Sequence, residues 1–231
     1  MTVVAFVDAP ARSGARVSHF VSSNGNNRAP LWPPQLAKSG QMLFFEGDSG
    51  ADVFQIISGT VRFSSIDRNG RRVVAGFAVA GDVFSLSNCN RYLFSAEAVS
   101  ECSFRRFSRS AVEQYSGNVA LASIVDYVTR EPWTLQFELL QLLHKNADEA
   151  IAYFVNNIGC RQQGQLSNGS VVRLDMQRCD IADYLGLTVE TVCRGISRLA
   201  KEGILQASGP RDLIVHDVSA LRIRAGVEDG K

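Results

Sequence analysis

Apolar and polar positions change rhythm several times along this chain. From about 38 to 108, short β-branched and aromatic runs (Val53 to Ile57, Val61 to Phe63, Val73 to Val74) alternate with glycines at 47, 50, 59, 70, 76 and 81. Many short strands punctuated by Gly turns predict a small antiparallel barrel or sandwich. Asn69-Gly70 predicts a hairpin with a type I′ turn, which needs positive φ at both central residues. From about 109 to 158 the spacing becomes helical: Leu121, Ile124, Val125 and Val128, then Leu135, Leu139, Leu142 and Leu143, then Ile151, Phe154 and Val155. Pro132 interrupts this run, and an interior Pro costs a helix about 3 kcal/mol, so a break or kink is expected near Arg130 to Pro132. The long apolar stripe needs a partner. Packing on the chain's own barrel and a two-fold dimer seam both satisfy it.

"GCRQQGQLSNGSVV" then reads as a polar connection or turn region. "CDIADYLGLTVETVCRGISRLAKEGIL", from Cys179 to Leu205, follows as two short helical runs joined by a Gly-containing turn. Asp180 is placed at the start of the first helix, with Ile181, Ala182 and Leu185 turned inward. Thr188 is a good N-cap for the second helix. There Val192, Ile196 and Leu199 make a buried stripe at i, i+4, i+7, and Gly203 ends the helix. "LQASGPRDLIVHDVSAL" closes the pattern as a hairpin and a helical turn. Residues 1 to about 29, with "SSNGNNRAP", read as a loose extension.

Composition narrows the function classes. The chain has 231 residues, 45% hydrophobic, with a formal net charge of +1, so any charged function must come from a local patch. Five scattered cysteines, at 89, 102, 160, 179 and 193, show no CxxC pair and no metal-ligand rhythm. They fit free thiols in a reducing cytosol. No signal-peptide pattern opens the chain, and no stretch approaches the roughly 18 apolar residues of a membrane span, so a cytoplasmic location is expected. No G-x-S-x-G, Walker A or H-E-x-x-H arrangement supports an enzyme.

The helix-turn-helix arithmetic leaves Val189, Glu190, Cys193, Arg194 and Ser197 on one outward face of the second helix. Glu190 and Arg194 are i, i+4 neighbours, which alone amounts to a solvated ion pair of a few tenths of a kcal/mol. Their position gives them a second meaning, because the N-terminal half of such a helix meets base edges in a major groove. Arg can donate bidentately to guanine and Glu can accept from cytosine. Arg178, Thr188, Ser197, Arg198, Lys201 and Arg211 are placed to serve phosphates. Residues 156–231 carry ten Lys/Arg against nine Asp/Glu, so non-specific affinity should be modest.

"DIADYLGLTVETVCRGISRL" closely resembles the DNA-recognition motif of the CRP/FNR family of bacterial transcription regulators. "EGDSGADVFQIISGTVRF" resembles the Gly-Asp…Phe-x-Ile-x-x-Gly pattern of that family's β-roll, "GDVFSL…RYLFSAEAVSEC" its later strands, and "LLHKNADEAIAYFV" the helix after its dimer seam. The resemblance spans roughly residues 38–215. It implies an α+β fold: an N-terminal cyclic-nucleotide-binding-type β-roll, a long dimerisation helix and a C-terminal winged helix-turn-helix. The corresponding division is an extension over 1–29, the roll over 30–108, the dimerisation and connecting helices over 109–158, and the winged helix over 159–231.

The "Val-Glu-Thr-Val-x-Arg" form is most similar to the FNR and FixK branches. It implies a homodimer reading a TTGA-N6-TCAA-like palindrome in double-stranded DNA, acting as an activator that touches RNA polymerase; the hairpin around Asp67 to Arg71 reads either as one such surface or as a solvated turn. Glu190 and Arg194 match the two base-reading positions, Val189 suits a thymine methyl, and Cys193 stands where Ser is usual. Gly195 replaces a usual core-facing aliphatic, although Gly costs a helix about 1 kcal/mol.

The effector side is defined by departures. The first cysteine is Cys89, so the N-terminal cysteine set of an iron–sulfur sensor is missing. Asp82 approximates the acidic residue of a cyclic-nucleotide pocket, but the Arg-Ser pair gives way to Tyr92 and Leu93, with Arg91 one position off. Cyclic-nucleotide binding is not expected, and neither a cofactor nor a metal is. The alternative function is a ligand-responsive β-roll module with little autonomous DNA binding, taking a small anionic effector at Asp82 and Arg91 or a haem. Haem would need axial ligands from His19, His144 and His216, each read as a surface residue. Cys193 and Cys179 read either as two ordinary thiols or as a redox handle, with Cys193, beside Arg194 near the positive end of its helix, as the first candidate for the latter and Cys179 as the second.

Overall fold

The computed structural model describes residues 32–50, 52–85, 87–88, 90–108 and 142–227. The N-terminal extension over 1–29, Cys89, and the stretch 109–141 with Pro132 and the expected dimer seam lie outside the described residues. The chain forms two compact units; among the described residues the first gathers 32–65 and 77–108, the second 66–76 and 142–227.

The first unit is a β-roll. Ten short strands form the roll, the last residue of β4 and most of β5 falling in the segment 66–76 that belongs to the second unit: β1 (Gln35–Ala37), β2 (Met42–Phe44), β3 (Val53–Ser58), β4 (Val61–Ile66), β5 (Arg72–Ala78), β6 (Val83–Phe84), β7 (Ser87–Asn88), β8 (Arg91–Tyr92), β9 (Ser95–Ala98) and β10 (Cys102–Phe107). One sheet runs β1-β10-β3-β6, a second β2-β9-β4-β5, and β7 pairs β8. Alternation along β4 drives Val61 and Phe63 inward and, along β10, Cys102 and Phe104, with less buried residues between them; Phe107 is buried out of that alternation. Phe54, Phe63, Phe84 and Phe107 are among the most buried side chains. Phe54 stacks on Phe84 at 5.3 Å between ring centroids, and Phe63 meets Phe84 edge-on at 4.7 Å. Such pairs add about 0.5–1.5 kcal/mol to the area they bury.

The Asn69-Gly70 hairpin is present, but its turn is not type I′. Gly70 has φ +77°, whereas Asn90 is the one non-Gly residue with positive φ among the described residues, so Asn69 does not adopt that region. The reason is Asp67. Its Oδ1 accepts the N–H groups of Asn69 (2.7 Å) and Arg71 (2.8 Å), and its carbonyl accepts Gly70 N–H at 3.0 Å. This Asx arrangement closes a longer loop in which Gly70 alone takes the left-handed conformation.

The second unit is a winged helix: α1 (Ala147–Gln163), β11 (Val171–Arg173), α2 (Arg178–Leu185), α3 (Val189–Lys201), β12 (Leu205–Ala207), β13 (Asp212–Val215) and α4 (Val218–Ala225). Its sheet order is β11-β13-β12, antiparallel throughout, with Val172 opposite Leu213 and Gln206 opposite Ile214. Asn146 starts α1 with a capping box: its Oδ1 accepts Asp148 and Glu149 N–H, and Glu149 Oε2 accepts Asn146 N–H in return. Ile151, Phe154 and Val155 are buried as the spacing predicts.

The polar connection expected from Gly159 begins later, because α1 continues to Gln163. Gly159 is a packing residue inside the helix: a Cβ there would stand 2.7 Å from Val172 and 2.9 Å from Leu166.

Candidate nucleic-acid interface

The candidate surface is built by α2, a tight turn and α3. The first helix begins slightly earlier than Asp180. Gln177 is its N-cap, and Asp180 sits at N3, where its Oδ2 accepts Gln177 N–H at 3.2 Å. Ile181 and Ala182 are buried as expected, and Leu185 is half-buried. Gly186 ends α2 in the left-handed conformation, its N–H bonding to Ala182 O, which turns the chain sharply into α3. Thr188 caps α3: its Oγ1 accepts Thr191 N–H at 3.1 Å and lies 2.8 Å from Thr191 Oγ1.

Val192, Ile196 and Leu199 form the buried stripe, joined by Gly195. Burying each aliphatic side chain contributes about 1.5–3 kcal/mol, which holds the helix by its inner face. Gly195 has a physical reason. A Cβ there would overlap Ile151 Cδ1 of α1 and reach Asp148 Oδ1 at 3.4 Å. The space that a side chain at 195 would need is filled by Ile151, so the two helices exchange a large residue for a small one across their contact.

Val189, Glu190, Cys193, Arg194 and Ser197 are all exposed, on one face. Arg194 Nη2 lies 3.3 Å from Glu190 Oε1, with side chains 65% and 73% exposed. A pair this open gives little stability and leaves both groups free to exchange partners.

The residues expected at phosphates are less uniform. Lys201, Ser197 and Arg211 are exposed. Arg198 instead pairs with Asp148 of α1. Arg178 is half-buried, and its Nη1 has no hydrogen-bond partner among the described residues. Burial lowers its pKa from the ordinary arginine value, and the nearby Cys193 opposes that. Cys193 is exposed, while Cys179 is half-buried with Sγ 3.4 Å from Gln177 Oε1.

The effector residues take local partners. Asp82 is buried, and its Oδ2 accepts Val79 N–H at 2.6 Å within a turn. Arg91 is exposed and donates to Gly47 O at 2.8 Å. Tyr92 is buried and stacks on Phe44 at 3.8 Å. Its hydroxyl reaches Asp52 Oδ2 at 3.4 Å, and Arg106 Nε donates to the same oxygen at 2.7 Å. Burial raises the Tyr92 pKa, and the charge of Asp52 adds to this. His144 and His216 are exposed, His216 Nε2 lying 2.6 Å from Gln206 Oε1. Among the described residues no group of three or more His, Cys, Asp or Glu is arranged to hold a metal, and no helix is long and apolar enough to cross a membrane.

Two partners were missed by sequence reasoning: Asp148, 50 residues from Arg198, and Arg72, 111 residues from Asp183. No local pattern signals pairs at such separations.

Comparison with known proteins agrees with this geometry. The Crp-like helix-turn-helix domain matches residues 139–224, and the cyclic nucleotide-binding domain matches 34–117. The chain belongs to the CRP/FNR family of DNA-binding transcription regulators. Among its relatives is the nitrogen fixation regulation protein FixK of Azorhizobium caulinodans, 34% identical over 205 residues, covering 84% of this chain and 79% of that one. FixK of Rhizobium meliloti is 32% identical, covering 84% and 89%. The solved structure of FixK2 from Bradyrhizobium japonicum superposes with a TM-score of 0.74 at 29% identity, covering 87% of this chain and all of that one. These relatives are regulators, not enzymes.

Proposed function

We propose that this chain is a homodimeric activator that reads a TTGA-N6-TCAA-like palindrome through α3. The exposed Glu190–Arg194 pair on the outward face of a helix-turn-helix carries this reading. Val189, Glu190, Cys193 and Arg194 face the bases. Lys201, Ser197, Arg211 and Thr188 serve the backbone, and Arg178 and Arg198 join them by exchanging their internal surroundings for phosphate. Two copies present two reading helices about one DNA turn apart, which matches a palindrome. The exposed tip of the hairpin at Asp67 to Arg71 touches RNA polymerase. A chromosomal target places the protein in the cytoplasm. The local partners of Asp82, Arg91 and Tyr92 support binding without a small effector.

The test is fluorescence anisotropy of the reduced protein on a TTGA-N6-TCAA duplex, against a scrambled half-site at the same salt. Tight binding lost on scrambling is expected; equal weak binding to both duplexes would overturn the reading.

Cys193 adds a redox dependence. The Cys193 thiolate takes one oxygen from hydrogen peroxide and releases hydroxide, giving a sulfenic acid that ionises to sulfenate; a second equivalent gives sulfinate and water. Either puts negative charge against a base edge or phosphate. Peroxide should therefore weaken operator binding by the wild type, and Cys193→Ser should resist it. Equal sensitivity in both proteins would move the assignment to Cys179.

A further inference from the structure

The helix that precedes the reading helix carries two carboxylates, Asp180 and Asp183. The Asp180 side chain is 2% exposed, and an uncompensated charge at that depth is strongly unfavourable. Next to a DNA-binding motif it would also repel phosphate. The compensating cation comes from far away in sequence but from the same compact unit. Arg72, at the end of the hairpin 66–76, places Nη2 2.8 Å from Asp180 Oδ1 and 2.6 Å from Asp183 Oδ2. Burial opposes the Arg72 charge, but the bond to Asp183 and the two carboxylate charges outweigh it, and its pKa lies above the ordinary arginine value.

The arm that delivers Arg72 is locally fixed. Asp67 N–H donates to Arg71 O at 2.8 Å, beside the two bonds that Asp67 Oδ1 accepts from the loop. On the other side, Asp180 is the residue that caps α2. One guanidinium thus joins the hairpin to both the cap and the next turn of α2. α2 in turn leads through Gly186 directly into α3.

We propose that Arg72 is a positioning residue for DNA recognition. It fixes α2, and through the turn sets the placement of α3, while neutralising two carboxylates beside the reading motif. The proposal rests on the DNA-binding reading above.

The test is a charge exchange at the half-exposed member of the pair, leaving the Asp180 cap intact. Arg72→Glu, Asp183→Arg and the double variant are compared by operator anisotropy and by amide hydrogen exchange of residues 178–185. Each single variant should weaken operator binding about 10-fold, within the usual range for two coupled elements, and speed exchange across α2. The double variant keeps one cation against two carboxylates but sets the carboxylate of Arg72→Glu beside Asp180, so it should recover part of the lost affinity and of the protection, not all of either.

Far-UV circular dichroism reports folding. Arg72→Gln, which removes charge without repulsion, should show the same two effects at smaller size if Arg72→Glu does not fold. Single variants with wild-type affinity and exchange would overturn the proposal. So would a double variant no better than the weaker single, which would mark the losses as general damage. If the wild type fails to discriminate the palindrome, the DNA reading fails, and the exchange measurements still decide whether Arg72 fixes α2.

Discussion

Replacing Arg194 with Ala is expected to remove sequence-specific binding while leaving the fold intact. The side chain is 65% exposed and its one ion pair among the described residues is with Glu190, which is 73% exposed, so unfolding midpoints should hardly move. The loss on DNA should be large, because a bidentate contact discriminates by about 1–3 kcal/mol per half-site and a dimer makes it twice. Since 1.4 kcal/mol is tenfold, palindrome affinity should fall by about 30-fold or more. Binding to a scrambled duplex should fall little, since only one cation per subunit is lost. Arg194→Lys should not restore discrimination, because a point charge lacks the planar two-donor fork. Anisotropy on both duplexes at one salt concentration measures the two terms separately. A variant that discriminates as well as wild type would remove Arg194 from the base-reading set.

The second large effect is on stability. Gly195→Leu should destabilise the winged-helix unit, although Leu is the better helix former by about 1 kcal/mol. The new side chain must occupy the volume of Ile151, which is 1% exposed. Overpacking of this kind costs about 1–3 kcal/mol. Ile151→Ala alone should cost about 2–5 kcal/mol through lost burial and the cavity it leaves. When the two are combined, the introduced leucine side chain fills the space that Ile151 vacates, so the double variant should be more stable than the two single costs predict. Denaturant midpoints of the four proteins give the interaction energy directly. Simple additivity would show that Gly195 and Ile151 do not exchange volume.

Much of the site was legible because it is local. The Thr188 cap, the Gly186 turn and the Val192–Ile196–Leu199 stripe all follow from spacing within one or two helical turns. So does the outward face that carries Glu190 and Arg194. The β-roll was equally legible, since alternation and Gly turns act over a few residues. The errors share one origin. The stretch from Gly159 reads as a connection because it turns polar, but the helix continues to Gln163 and keeps Gly159 to admit Val172 and Leu166. Asn69-Gly70 was read as type I′ because the dipeptide favours it, but the Asp67 side chain supplied a different closure. In each case a neighbour outside the dipeptide or turn settled the choice.

The order of strands and helices, the exposed face of α3 and the family to which the chain belongs were all readable from the linear chain. Periodicity and capping are short-range physics, and they survive in a linear string. Folding was needed to reveal that Ile151 makes Gly195 necessary and that Asp148 holds Arg198. The same is true of Asp82, whose carboxylate is spent on a turn, and of Arg72, which neutralises the carboxylates of α2. Those outcomes depend on close approach and charge pairing between groups that local periodicity does not connect, where a gap of a few ångströms separates a partner from a bystander.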